Sequence, residues 1–188
     1  MAAMCGAPLA SPAGRAGALA KRVLFAVLLA GFAVASAHAQ RPQACAGAEF
    51  RQFDFWVGAW EITPRNAEQP TGRSTITLSQ DGCVIVEAYS AASGNGAVSL
   101  SGYDARRGVW RQTWSSSTGS TAYLEGGVHA DGAMELTDRG QPWATATGAM
   151  NRVRWRADAD GAVWQSWEIS RDGGITWTAI FDDRYVRR

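Results

Sequence analysis

Reversal signals cut the sequence at short, even intervals from residue 55 onward: Asp81-Gly82, Ser93-Gly94-Asn95-Gly96, Ala105 to Gly108, Ser117 to Ser120, Asp131-Gly132, Asp158 to Gly161 and Asp172-Gly173-Gly174. Gly, Asn, Asp and Ser tolerate or stabilise the backbone conformations that fold a chain back beside itself. Segments of roughly a dozen residues leave no room for a helical crossover, so consecutive strands must pair antiparallel. Most segments alternate apolar and polar residues, the period of a strand with one buried face. The spacing predicts about ten strands, at 55–63, 73–80, 83–91, 97–104, 109–116, 121–128, 133–138, 147–156, 162–170 and 175–187. Only Ala44 to Asp54 reads as helical, a short lead-in. An open sheet of this many strands would leave two edges to protect, and closure removes them. The expected fold is therefore all-β: a single antiparallel up-and-down barrel.

Alternation also sorts the side chains. Trp110, Gln112 and Trp114 share one face of 109–116. Val163, Gln165, Trp167 and Ile169 share one face of 162–170, and Ile85, Glu87 and Tyr89 one face of 83–91. Val153 and Trp155 oppose Arg152, Arg154 and Arg156, a stripe that reads as a solvated outer face.

The N-terminal segment has a different grammar. Residues 1–22 carry Arg15, Lys21 and Arg22 and no acidic residue; Val23 to Ala37 is uncharged; Ala37-His38-Ala39 then precedes Gln40. A basic region, an apolar run and a small-x-small site form a secretory signal. The run of 15 residues is shorter than the ~20 a spanning helix needs. Residues 1–39 therefore read as a cleaved signal peptide and 40–188 as the barrel domain, exported to the periplasm or secreted, with no membrane anchor after cleavage.

From Gln40 onward there are 17 acidic residues against 15 Arg and no Lys. A balance so near neutral gives no electrostatic footprint for nucleic acid. Two cysteines remain in this part, Cys45 and Cys83. An even count in an oxidising compartment favours a disulfide between them.

Gly58-Ala59-Trp60 on the first strand and Arg184-Tyr185-Val186-Arg187-Arg188 at the end resemble the calycin barrels, which include lipocalins, fatty-acid-binding proteins and nitrobindin-like proteins. The resemblance implies that Trp60 lies across the barrel floor with a late basic residue packed over it; Arg187, which shares a face with Tyr185 and Phe181, is the expected partner, with Arg184 as the alternative. Glycine allows the close backbone approach, and guanidinium stacks well on indole. FDFWVGAWEIT, DGCVIVE, WRQTW and FDDRYVR are also similar to a family of exported bacterial proteins of unknown function with calycin-like folds. Nitrobindin-like barrels that carry haem need an axial histidine. From Gln40 onward there is only His129, beside a turn in GGVHADG, so neither haem, another cofactor nor a metal site is expected. Ser170-Arg171-Asp172-Gly173-Gly174-Ile175-Thr176-Trp177 resembles the Asp-box of sialidase propellers. The likeness implies a structural hairpin in which Asp172 binds turn amides and Trp177 packs beneath. The chain is too short for the propeller itself.

The residues left for function are polar groups on apolar faces: Gln112 between Trp110 and Trp114, Gln165 beside Trp167, and Glu87 beside Tyr89. Buried amides need partners, and aromatics with a few convergent polar groups line small-molecule sites. The leading reading is an exported protein that binds a small, partly apolar molecule inside the barrel through Glu87, Tyr89, Gln112, Trp114, Gln165 and Trp167. Against it stands the possibility that the amides bond one another or buried water and fix the barrel register. A second functional reading makes Glu87 the general base of a small isomerase, cyclase or hydrolase, since a carboxyl desolvated among aromatics has the raised pKa this requires. A third is a carbohydrate- or envelope-binding module presenting Trp143 or Trp164.

Overall fold

A computed structural model describes residues 44–188; the predicted signal segment lies outside the described residues. All seven reversal signals join antiparallel neighbours. The strands are β1 (Gly58–Pro64), β2 (Gly72–Ser79), β3 (Val84–Ala91), β4 (Gly96–Asp104), β5 (Val109–Ser116), β6 (Thr121–Val128), β7 (Met134–Thr137), β8 (Met150–Ala157), β9 (Val163–Ser170) and β10 (Thr178–Arg187). Each pairs with the next in sequence, and β1 pairs with β10, giving a closed barrel. Closure runs through Trp60 opposite Arg187 and Ile62 opposite Tyr185.

One end of the barrel is plugged. The lead-in is two 3-10 turns, Ala48–Arg51 and Asp54–Trp56, rather than the continuous helix expected over Ala44 to Asp54. Phe53 and Trp56 are three residues apart, the spacing that a three-residue turn brings to one side, and their rings stack 5.0 Å apart. Phe53 also packs edge-on against Trp110 at 5.6 Å and Trp155 at 5.0 Å. Because the second turn occupies 54–56, β1 starts at Gly58 and not at residue 55. The Cys45–Cys83 disulfide ties the lead-in to the β2–β3 turn, and Arg51 donates to the Gly82 carbonyl of the same turn.

Above this plug, Trp60, Ile62, Ile76, Ile85, Leu124, Leu136, Val153 and Tyr185 fill the barrel core. The other end receives the β1–β2, β3–β4, β5–β6, β7–β8 and β9–β10 connections. The β7–β8 connection holds one helix that periodicity did not predict, α1 (Pro142–Thr147). At six residues it is too short to show an amphipathic repeat. Its signals are terminal: Pro142 in the first turn, and Gly148 in the left-handed conformation (φ 67°) closing it.

Candidate functional site

The floor carries a stacked pair. Trp60 is fully buried, and its indole donates to the Trp56 carbonyl at 2.9 Å. The Arg187 guanidinium lies 4.4 Å from the Trp60 ring and donates to the Val57 carbonyl at 3.2 Å. A Cβ on Gly58 would sit 2.5 Å from Arg187 Nη1, so only glycine leaves space for this stack. These contacts are internal to the floor.

In the middle of the barrel, alternation turns Glu87, Gln112, Gln165 and Tyr185 inward, and all four are buried. Glu87 Oε1 accepts from Ser74 at 3.0 Å and Oε2 from Ser99 at 2.9 Å. Gln112 Nε2 donates to Ser101 at 3.1 Å and Ser99 at 3.4 Å. Tyr185 donates its hydroxyl to Gln165 Oε1. Each glutamine thus has a protein partner for one of its two amide atoms, Gln112 through Nε2 and Gln165 through Oε1, so neither amide by itself demands a ligand. The reason is the register. Ser99 and Ser101 lie opposite Trp114 and Gln112 on the neighbouring strand, so hydroxyls are within reach of the amide. Burial pushes the Glu87 carboxyl up to about 7 against the pull of its two serine bonds. The Tyr185 hydroxyl is raised well above its ordinary value, by desolvation first and by Glu87 and Asp183 next.

The open end is where inward-facing groups meet solvent. Tyr89, Trp114, Trp167, Phe181 and Asp183 all occupy inward positions yet remain half-buried. Trp114 and Trp167 meet edge to face across the barrel at 5.1 Å, and Phe181 packs on Trp167 at 6.1 Å. Trp167 is held from behind: its indole donates to Asn151 Oδ1 at 3.0 Å, and the Asn151 amide donates to Asp138 Oδ2 at 2.7 Å. Tyr89 lies against Gly72, where a Cβ would fall 2.8 Å from its ring.

Asp183 is the residue that sequence reasoning missed. Its Oδ1 is enclosed, yet no described residue donates a hydrogen bond to it. Pro64, opposite it on β1, has no N–H to offer, and the side-chain amide of Gln165, opposite it on β9, makes no hydrogen bond to it. Desolvation, reinforced by the adjacent Asp182 charge, raises the Asp183 carboxyl to about 6. The signal was present in FDDRYVR. Asp183 shares parity with Phe181, Tyr185 and Arg187, while Asp182 has the opposite parity and pairs outward with Arg65.

The remaining sequence candidates lie elsewhere. Asp172 accepts from the Ile175 and Thr176 amides at 3.1 and 2.9 Å and from the Thr176 hydroxyl. These bonds hold its carboxyl down at about 2. The Trp177 indole donates to the Gly174 carbonyl at 3.2 Å, and Arg152 stacks on its ring at 4.1 Å. This hairpin is a self-contained turn. The arginine stripe is paired rather than merely solvated: Arg152 with Glu168, Arg154 with Asp131 and Glu135, Arg156 with Asp158. A depression of about 160 Å³ on this outer wall, bounded by Arg65, Asp131, Arg154, Arg156 and Trp164, has all three of its arginines ion-paired. Trp164 is covered by Arg65 at 4.1 Å. Trp143 stands on α1, its indole bonded to Asp138. The two tryptophans are at different ends of the barrel and make no common platform. His129 follows β6 near Glu135, with half its side chain exposed. No group of three or more His, Cys, Asp or Glu among the described residues is placed to hold a metal ion.

No protein-family model matches this chain, and no curated protein matches its sequence.

Proposed function

We propose that this is an exported protein that binds a small, partly apolar molecule at the open end of its barrel. One observation carries the reading. Asp183 Oδ1 is an enclosed acceptor without a described donor, and it sits among inward aromatics that keep solvent-exposed edges. Buried polar groups are almost always met, and an aromatic wall around a few polar groups is the usual make-up of a small-molecule site. Export is supported by the signal-like residues 1–39 and by the disulfide, which suits an oxidising compartment. Kinship with calycin barrels is supported by ten-strand closure and by the Arg187–Trp60 stack on the floor.

The enzymatic reading is served less well. Glu87 has the raised pKa of a general base, but both its oxygens accept serine hydroxyls and the side chain is enclosed. A base must reach the proton it abstracts. The glycan reading needs exposed coplanar rings, and Trp164 is masked by Arg65.

The test is a native mass spectrum of protein purified from its own host. It should show a non-covalent small-molecule adduct that Trp167→Ala loses. A bare native mass, together with no saturable change in tryptophan fluorescence across neutral, cationic and anionic aryl-alkyl compounds, overturns the reading.

A further inference from the structure

Inside the barrel, charge is of one sign. Among the described strands, the carboxylates at inward positions are Glu87 and Asp183, and the single base there is Arg187. Arg187 is committed to the floor, stacked on Trp60. The two carboxylates differ in what they meet. Glu87 is enclosed and doubly bonded to serines, whereas Asp183 is only half-buried, and its enclosed Oδ1 is unmet. Around it stand Tyr89, Trp114, Trp167 and Phe181, whose faces are electron-rich.

We propose that this mouth takes a small organic cation: a protonated amine with an apolar body. Its ammonium donates to the half-buried Asp183 carboxylate, and its body lies against the indoles of Trp114 and Trp167 and the ring of Phe181. The inference rests on the ligand-binding reading above and narrows it. An ammonium supplies the donor that Asp183 lacks, in a charge-assisted bond stronger than a neutral one. Aromatic faces attract cations, more so where water is partly excluded. An anion such as a fatty-acid carboxylate would instead meet two inward carboxylates and no free base, and like charges in a low-dielectric interior repel strongly. Asp182 beside it on β10 bears on Asp183, and Asp183 in turn bears on Tyr185 further along that strand and on Tyr89 on β3. None of these brings a positive charge. With its carboxyl raised to about 6, Asp183 takes up a proton as pH falls through that value, and amine affinity falls with it.

The test uses three isosteric probes on the folded, disulfide-bonded protein: phenethylamine, phenethyl alcohol and phenylacetate. Binding is followed by calorimetry and by the Trp114 and Trp167 indole N–H resonances. At about pH 7.5 the amine should bind at least roughly tenfold more tightly than the alcohol, the gain expected of one charge-assisted bond, and phenylacetate should bind weakest. The amine's advantage should shrink as pH is lowered past about 6, where Asp183 is neutralised. Asp183→Asn should bring the amine down to the alcohol's affinity in the same variant while leaving the free-protein indole spectrum unchanged. Equal binding of all three probes, or an amine preference that survives Asp183→Asn, overturns the cation assignment and leaves small-molecule binding standing. Unmoved indole resonances with every probe at millimolar concentration overturn both.

Discussion

The two ends of the barrel are built from the same side chains and treat them oppositely. At the floor, Phe53, Trp56, Trp60 and Trp155 are fully buried, because the disulfide-tied lead-in folds across them. At the mouth, Trp114 and Trp167 face inward with the same parity but keep exposed edges. Both ends also carry polar atoms without partners among the described residues: the Trp56 and Trp155 indole N–H and Asp54 Oδ1 at the floor, where Arg51 pairs with the other Asp54 oxygen at 3.3 Å, and Asp183 Oδ1 at the mouth. These are not equivalent. An indole N–H can rest against a neighbouring ring face at modest cost. A carboxylate with no cation paired to it has no such recourse, and its ionised form is penalised by burial. The comparison teaches that tryptophan content does not mark a site; an unmet charge-bearing group within an exposed aromatic wall does.

The sharpest way to break this contrast is to remove the keystone of the floor. Trp60→Ala should cost about 3–5 kcal/mol by denaturant unfolding, as expected for a core aromatic truncation; a loss below about 1 kcal/mol would mean that the floor does not carry the fold. Next, Cys83→Ser frees the plug. Reopening a bridge between residues 38 apart should cost about 3 kcal/mol, and the intact protein should titrate no free thiol among residues 44–188.

Glu87, between the two ends, gives a pH test. Its carboxyl is raised by desolvation from 4.5 to about 7, so the folded state holds a proton that the unfolded state has released. The stabilising effect of that proton is fully present below about pH 4.5 and is lost as pH rises through about 7. Glu87→Gln should therefore gain on wild type, by on the order of 3 kcal/mol, between about pH 4 and pH 9. Any slope left in the variant should lie below about pH 6, where Asp183 tilts the curve in the same direction. Parallel stability curves for the two proteins would show that Glu87 is not desolvated.

At the mouth the prediction reverses. Trp114→Ala should cost only about 1.5 kcal/mol of stability, half the value of a fully buried side chain, while abolishing probe binding. A stability loss equal to that of Trp60→Ala would erase the distinction between the ends. Gly58→Ala is expected to cost about 1–3 kcal/mol, because Gly58 sits at φ 156°, where an L residue is strained, although the new methyl displaces only a side-chain tip. The signature would be structural: Arg187 leaves the Trp60 ring, seen as a change in the Trp60 indole resonance.

Sequence alone determined the strands, their antiparallel order and their closure, because turn chemistry and the period of two are local properties. Local parity also placed Glu87, Tyr89, Gln112, Trp114, Gln165 and Trp167 on inward faces, and the cysteine count pointed to the bridge. Tertiary structure decided everything that depends on two strands at once. Cross-strand register put Ser99 and Ser101 beside Gln112 and set Tyr185 against Gln165, so one amide atom of each glutamine is met. The same register set Asp183 between Pro64, which has no N–H, and Gln165, which makes no bond to it, so its Oδ1 is not. Only the folded lead-in decided which end is floor and which is mouth. Whether a polar atom has a partner is fixed by the three-dimensional neighbourhood and not by the residue that carries it, and for that reason the strands could be read from the sequence and the site could not.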